Sequence, residues 1–124
     1  MYINNTSFGS ITIDDVEYDH DVVICRDTVI RRAKKLSTRY RSLYNHTPLS
    51  REEIEYYVSI CSDVEVIIIG TGQYGALPIM EDAKEYLESL GIDIVIAETP
   101  RAIEVFNDIS KSIKNILAIL HVTC

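Results

Sequence analysis

The sequence predicts an α/β fold, a three-layer single domain whose mixed central sheet is flanked by helices and joined by an N-terminal antiparallel β-meander. After residue 63 the chain alternates strand, helix, strand, helix and strand, and strands joined through helices favour right-handed crossovers in a largely parallel sheet. Before residue 40 it carries short strand patterns separated by turn signals. Its 124 residues are the usual size of one domain, so we expect residues 1–124 to share one core.

The first forty residues predict short antiparallel strands. Ile11 and Ile13 alternate with polar residues, and the pair Asp14-Asp15 is a turn signal before further β-branched and aromatic positions. A second hairpin is predicted to run from residues 22–25 through Arg26-Asp27 into residues 28–30. The basic stretch that follows, up to residue 44, has no clear period and fits either a loop or an edge strand.

A helix is predicted to begin at Arg51. Ser50 and Glu53 have the spacing of a capping box, and Leu49 with Ile54 has the spacing of a hydrophobic staple. The helix should end near residues 62–63. Its buried face is predicted to contain Ile54, Tyr57, Val58 and Cys61.

Two buried strands and two more helices are predicted after that point. Residues 64–69 and 92–96 form β-branched runs that suggest burial on both faces. Between them, a helix with its first turn near Leu77 or Pro78 presents the stripe Ile79, Ala83, Leu87 and Leu90, and Gly91 ends it. Thr99 is expected to cap a last helix with Pro100 at its first position, before a final strand at residues 115–122.

Composition and charge exclude several classes of protein. The sequence starts without a secretory signal, and its uncharged apolar stretches are far shorter than the roughly 20 residues of a membrane helix, so we expect a cytoplasmic protein. A net charge of -7 argues against general affinity for nucleic acid or an anionic membrane. The three cysteines form no C-x-x-C pair, so reduced thiols are expected.

The basic residues are concentrated in one segment. Residues 26–41 carry a net charge of +6 and the rest of the chain carries -13. An acidic protein partner, or the acidic part of a second copy of this chain, fits that asymmetry better than nucleic acid does. A solvated strand face or loop is the simpler interpretation. The segment contains seven of the twelve basic residues: Arg26, Arg31, Arg32, Lys34, Lys35, Arg39 and Arg41.

The string Gly70-Thr71-Gly72-Gln73-Tyr74-Gly75 is a literal G-x-G-x-x-G after a buried strand, with Glu98 at the end of the next strand. Pro78 weakens a dinucleotide-binding interpretation, because it places the helix start beyond the glycines instead of within them. The glycines are then interpreted as a tight turn at the carboxyl end of a strand, a position where a small-molecule or anion pocket remains an alternative.

The C-terminal residues His121 and Cys124 suggest a nucleophilic pair, but a strand would point them to opposite faces. Neither cysteine nor histidine spacing completes a zinc site, and no Ser-His-Asp order or Walker loop is present. The sequence therefore indicates no catalytic residue, no metal and no cofactor.

Three segments in series resemble a family of small, largely uncharacterised single-domain proteins that includes the adipogenesis-associated domain protein and an assembly factor of mitochondrial respiratory complex I. The segments are residues 66–72, residues 91–102 running on to Asn107, and residues 121–124. The resemblance implies a three-layer α/β domain without an established catalytic activity. The residues that match the family pattern are Gly70, Gly72, Thr99, Ala102, Asn107, His121, Thr123 and Cys124.

Two hypotheses follow from the sequence. The first is a non-catalytic binding or accessory domain that acts through protein contacts and self-associates. The second is a small-molecule, anion or nucleotide-binding protein, or an enzyme, with its site at residues 70–75. The candidate pocket comprises Gly70, Thr71, Gly72, Gln73, Thr99, Asn107, His121 and Cys124.

Overall fold

A computed structural model describes all 124 residues. The chain forms eight strands and four α-helices in an α/β arrangement. The strands are β1 (Ile3–Ser7), β2 (Ser10–Ile13), β3 (Val16–Tyr18), β4 (Val22–Cys25), β5 (Thr28–Arg31), β6 (Val66–Thr71), β7 (Asp93–Ala97) and β8 (Ile116–His121). The helices are α1 (Arg41–Tyr44), α2 (Arg51–Ile60), α3 (Glu81–Ser89) and α4 (Thr99–Ile109). The predicted fold class is confirmed.

The N-terminal meander is a separate three-stranded sheet in the order β1-β2-β3, with both pairings antiparallel. Asp14 and Asp15 form its second turn with φ of 48° and 67°, the left-handed geometry that tight hairpins favour. Its fully buried isoleucines, Ile3, Ile11 and Ile13, pack in one cluster with Phe106 of α4. The meander and α4 therefore cover the same face of the larger sheet.

The larger sheet has five strands in the order β5-β4-β8-β6-β7. β6 pairs in parallel with both β7 and β8, whereas β4 is antiparallel to both β5 and β8. The predicted second hairpin thus belongs to the central sheet and makes that sheet mixed. The second face of the sheet packs against α2 and α3 in a cluster that contains Ile54, Tyr57, Ala83 and Leu87.

Two predictions about the parallel half are wrong. β7 is an edge strand instead of a buried one, and its Ile96 is 47% exposed because only β6 pairs with it. α3 begins at Glu81, because the preceding residues are held extended: the N–H of Leu49 donates to Pro78 O, and the N–H of Met80 donates to Leu49 O.

The predicted helix caps are confirmed only in part. The Ser50 hydroxyl accepts the Glu53 N–H, as a capping box requires, but the Ser50 N–H is bonded by Ser37 instead of by the Glu53 carboxylate. Thr99 is the first helical residue and not the cap, which is Glu98 without a side-chain bond. Both side chains, Glu53 and Thr99, are drawn away from the helix backbone by tertiary partners.

The cysteines also differ from the expectation of reduced thiols. Cys25 at the end of β4 and Cys61 after α2 form a disulfide with their Cα atoms 5.6 Å apart, and Cys124 is free. Sequence spacing could not reveal this pair, since 36 positions separate its members. None of the helices has the length and apolar character needed to cross a membrane.

Candidate functional site

The strand order reverses between β6 and β8, because the chain passes from β6 outward to β7 and then returns to the other side of β6 as β8. Open α/β sheets tend to bind ligands outside the carboxyl ends of strands at such a point. The glycine loop follows β6 there, and residues 122–124 follow β8. The predicted candidate residues thus surround the crevice between these two strand ends.

The chain's own C-terminal residues fill this crevice. The N–H of Gln73 donates to Thr123 O at 2.7 Å, and the N–H of Ala76 donates to Cys124 O at 2.9 Å. Gly72 has a φ of +105°, and a Cβ added to it would lie 2.4 Å from the carbonyl carbon of Cys124. Glycine is therefore required at position 72 both by the backbone conformation and by the close approach of residue 124.

The Thr99 hydroxyl joins the glycine loop to β8. It accepts the Gly72 N–H at 2.9 Å and donates to His121 O at 2.6 Å. A Cβ on Gly70 would lie 2.8 Å from this hydroxyl. The loop N–H groups of Gly72, Gln73, Tyr74, Gly75 and Ala76 all donate to protein oxygens, so in this conformation they do not form an open anion-binding nest.

Seven of the eight candidate residues meet at the crevice, and Asn107 does not. The Asn107 side-chain amide accepts the Ile3 N–H and donates to Ile3 O, both at 2.8 Å, and so fixes β1 to α4. Thr71 bonds Ala97 O of the neighbouring strand. The residues that the crevice brings together are Gly70, Thr71, Gly72, Gln73, Thr99, His121 and Cys124.

The His121 side chain pairs with Asp21, an acidic residue that the sequence analysis did not identify. Its Nδ1 lies 2.7 Å from Asp21 Oδ2, while Asp21 Oδ1 accepts the Val122 N–H at 2.8 Å. Burial, the largest single influence, raises the pKa of Asp21. The hydrogen bond and charge of His121, the Val122 N–H and the charge of Arg32 together outweigh burial and lower this pKa to about 2.

Asp21 is also the outer member of a buried ionic network around Arg32. The Arg32 guanidinium donates to Glu53 through Nε at 2.8 Å and Nη2 at 3.1 Å, and to Asp21 through Nη1 at 3.2 Å. The hydroxyls of Ser37 and Tyr57 donate to the same Glu53 carboxylate. Burial, followed by the Glu53 charge, raises the pKa of Tyr57. Every polar side-chain atom of this buried network has a partner.

A polar cavity of about 260 Å³ opens beside the Asp21 end of this network. Only one of its nine lining residues is hydrophobic. Arg31 and Lys34 in its wall have no carboxylate within 4.0 Å and no side-chain hydrogen bond, in contrast to Arg32. The lining residues are Asp19, His20, Asp21, Arg31, Arg32, Lys34, His121, Val122 and Thr123.

A second cavity, of about 450 Å³, lies at the opposite end of the sheet beside Ile116, the first residue of β8. It contains none of the eight candidate residues. Its Arg26 already donates to Ser62 O at 2.6 Å. Because this end carries the amino termini of the parallel strands, it is not where such sheets gather ligands.

Thr123, His121 and Asp21 form a chain of hydroxyl, imidazole and carboxylate. Thr123 Oγ1 lies 3.1 Å from His121 Nε2, and the other ring nitrogen faces Asp21. That order resembles an activated nucleophile with its base and orienting acid. Acyl transfer also needs donors for the developing oxyanion, and the nearby loop N–H groups are bonded to carbonyl oxygens. These hydrogen bonds hold the His121 ring and the Thr123 hydroxyl in the lining of the polar cavity.

Comparisons place the chain among proteins without an assigned activity. A family model described as "Protein of unknown function (DUF498/DUF598)" matches residues 3–121. A conserved hypothetical protein of Pyrococcus horikoshii has 33% identity and a TM-score of 0.84, with 100% of each chain covered. A protein named MT938 has 29% identity and a TM-score of 0.76 over 99% of this chain and 98% of that one. A Mth938-like domain of Bordetella pertussis, at 14% identity and a TM-score of 0.60 over 98% and 85%, shares the fold.

Proposed function

We propose that this chain, which belongs to the DUF498/DUF598 family of proteins of unknown function, is a non-catalytic binding domain that acts through protein contacts. The observation that carries the proposal is the charge distribution around α2. This helix exposes two apolar residues and contacts both a basic segment and an acidic helix. A second copy of the chain is the partner that this pattern fits.

The centre of the proposed contact surface is apolar. Tyr56 and Ile60, which lie four residues apart on one side of α2, are 43% and 48% exposed. Exposed apolar side chains at the middle of a charged surface are typical of contact sites between proteins.

The basic flank is formed by residues 33–46, which follow the edge strand β5. This segment folds as short helical turns and contains Lys34, Lys35, Arg39 and Arg41 but no acidic residue. All four of these cations are exposed. The turn formed by residues 34–36 contacts α2, and the Ser50 hydroxyl at the amino-terminal end of that helix donates to Leu36 O.

The acidic flank is α3, which connects β6 to the opposite edge strand β7 and also contacts α2. It exposes four carboxylates and only one cation, Lys84. When two copies pair with their α2 helices together, the basic flank of each can meet the acidic flank of the other, which makes the surface self-complementary. The exposed carboxylates are Glu81, Asp82, Glu85 and Glu88.

The resemblance to the adipogenesis-associated domain protein and to an assembly factor of respiratory complex I is consistent with this proposal, since an assembly factor acts by contacting other proteins. The respiratory role itself is not carried over to this chain. We also propose the cytoplasm as the compartment. The disulfide between Cys25 and Cys61 is compatible with it where intracellular proteins carry disulfides, as in hyperthermophiles.

Sedimentation equilibrium tests the proposal. We expect the 14.1 kDa chain to form a dimer that weakens as salt is raised, because salt screens the flanking charges. A variant with Lys35→Glu and Arg41→Glu, and a second with Glu85→Lys and Glu88→Lys, should each be monomeric. Mixing the two variants should restore a dimer, because each interface again pairs opposite charges.

The matched control is Lys111→Glu with Lys114→Glu, which changes the same amount of charge just beyond α4, on the other face of the sheet. This control should dimerise like the unmodified chain. A monomer at every concentration would overturn the proposal. So would a dimer that both flank variants leave unchanged.

A further inference from the structure

We propose that the polar cavity binds a phosphoryl oxyanion, which is held by the Arg31 guanidinium, the Lys34 ammonium and the Thr123 hydroxyl. This inference concerns the small cavity beside Asp21 and not the apolar residues of α2, and Lys34 is the one residue that the cavity shares with the basic flank. It assigns the chain a site for free phosphate or for the phosphate group of a small polar molecule.

The first argument is that this wall of the cavity holds cations without internal partners. Arg31 at the end of β5 and Lys34 in the following turn make no ion pair, although both line the cavity. Arg32, which lies between them in sequence, donates its hydrogen bonds to Glu53, Asp21 and the backbone. The fold thus neutralises one of three neighbouring cations and leaves two facing the cavity.

The second argument concerns the carboxylates of the cavity. Asp21 would repel an anion if it were free, but Arg32, His121 and the Val122 N–H occupy its two oxygens. Asp19 is exposed and without a partner, so it offsets only one of the two free cations. The cavity lining contains three cations and two carboxylates, and the Glu53 carboxylate that also pairs with Arg32 lies outside the lining, in the core.

The third argument is that a hydroxyl donor lies beside the cations. Because the Asp21 carboxylate faces His121 Nδ1, that nitrogen carries the proton, and Nε2 is left to pair with the Thr123 hydroxyl. The Thr123 hydroxyl has a single hydrogen, which can turn from Nε2 toward an anion in the cavity. His20 also lines the cavity, and its Nδ1 pairs with Asp21 O.

The size and polarity of the cavity define the class of ligand. Pockets for drug-like or cofactor molecules are mostly apolar and larger than about 300 Å³. This cavity is smaller, about 260 Å³, and Val122 is its one apolar lining residue. A compact oxyanion matches these properties, and arginine with lysine is the usual pair of side chains that binds phosphate in proteins.

An NMR titration with inorganic phosphate tests the inference, with potassium chloride at matched ionic strength as the reference. We expect saturable shifts of the His20 and His121 ring signals. Arg31→Gln with Lys34→Gln should weaken the affinity at least about tenfold, as the loss of charge-assisted hydrogen bonds predicts. Thr123→Val should weaken it to a smaller extent, because it removes one neutral donor.

The matched control is Lys111→Gln with Lys114→Gln, which removes two exposed cations just beyond α4, outside the cavity, and should leave the affinity unchanged. Glycerol phosphate distinguishes the two sources of the ligand: tighter binding than inorganic phosphate indicates a small phosphomonoester, and equal binding indicates the free ion. Shifts that do not saturate would overturn the inference. Equal weakening by Lys111→Gln with Lys114→Gln would also overturn it, because binding would then reflect only the overall charge.

Discussion

Two regions flank the carboxyl end of β8, and they differ in whether their polar groups have partners within the protein. On the β6 side, the crevice beside the glycine motif is closed, because Thr99 and the C-terminal residues 123 and 124 accept hydrogen bonds from the loop N–H groups. On the β4 side, the polar cavity is open, and Arg31 and Lys34 face it without partners. A motif shows which backbone groups are present, whereas the site depends on which polar groups the fold leaves unpaired.

The largest expected effect comes from Arg32, which closes the wall between the cavity and the core. Arg32→Met should destabilise the protein by about 3–5 kcal/mol, because the buried Glu53 carboxylate loses its counter-charge. Urea unfolding measures this loss. Arg31→Met is the matched control and should change stability by less than about 0.5 kcal/mol, since Arg31 is exposed and unpaired. A loss below about 1 kcal/mol for Arg32→Met would show that the network is not closed as described.

The closed crevice predicts a smaller but still large effect at Gly72. Gly72→Ala should cost about 3 kcal/mol, since it combines a positive φ with overlap on the Cys124 carbonyl. Gly91→Ala is the control: its φ is +66°, but no atom lies within 4 Å of the added Cβ, so we expect a loss of about 1 kcal/mol. Thermal unfolding compares the two. Equal losses would mean that residue 124 does not occupy the crevice.

Asp21, which borders the open cavity, should make stability depend on acidity. Its folded pKa of about 2 lies below the unfolded value of about 3.9, so its stabilisation of about 2 kcal/mol is complete above pH 4 and disappears as pH falls toward 2. The stability difference between the unmodified protein and Asp21→Asn should shrink over that interval. The exposed neighbour Asp19 is the control, and Asp19→Asn should show no such trend. A difference that is constant with pH would contradict the assigned ion pairs.

The smallest effect is expected where the cavity is open. Arg31→Gln with Lys34→Gln should change the free energy of unfolding by less than about 0.5 kcal/mol, because neither side chain has an internal partner. Urea unfolding of the same samples used for phosphate titration provides the measurement. A loss above about 1 kcal/mol would show that these cations serve the fold, and the contrast between the closed and open sides would no longer hold.

Part of the candidate site could be anticipated from sequence. The sequence groups the glycine loop with His121 and Cys124 in one candidate pocket, and seven of the eight candidate residues do meet at the crevice. Asn107 was grouped with them but bonds the backbone of Ile3. Asp21 was missed because 100 positions separate it from His121 and no local pattern marks an acid that pairs across strands.

The sequence by itself determined the α/β class, the order of the elements after residue 50 and the apolar faces of α2 and α3. Hydrophobic periodicity and turn chemistry are local properties that act over a few residues. Only the tertiary structure decided that β7 is an edge strand, that Thr99 bonds β8 instead of capping α4, and that Arg32 is buried among carboxylates. Those outcomes depend on long-range pairing, which brings together polar groups that must find partners once water is removed.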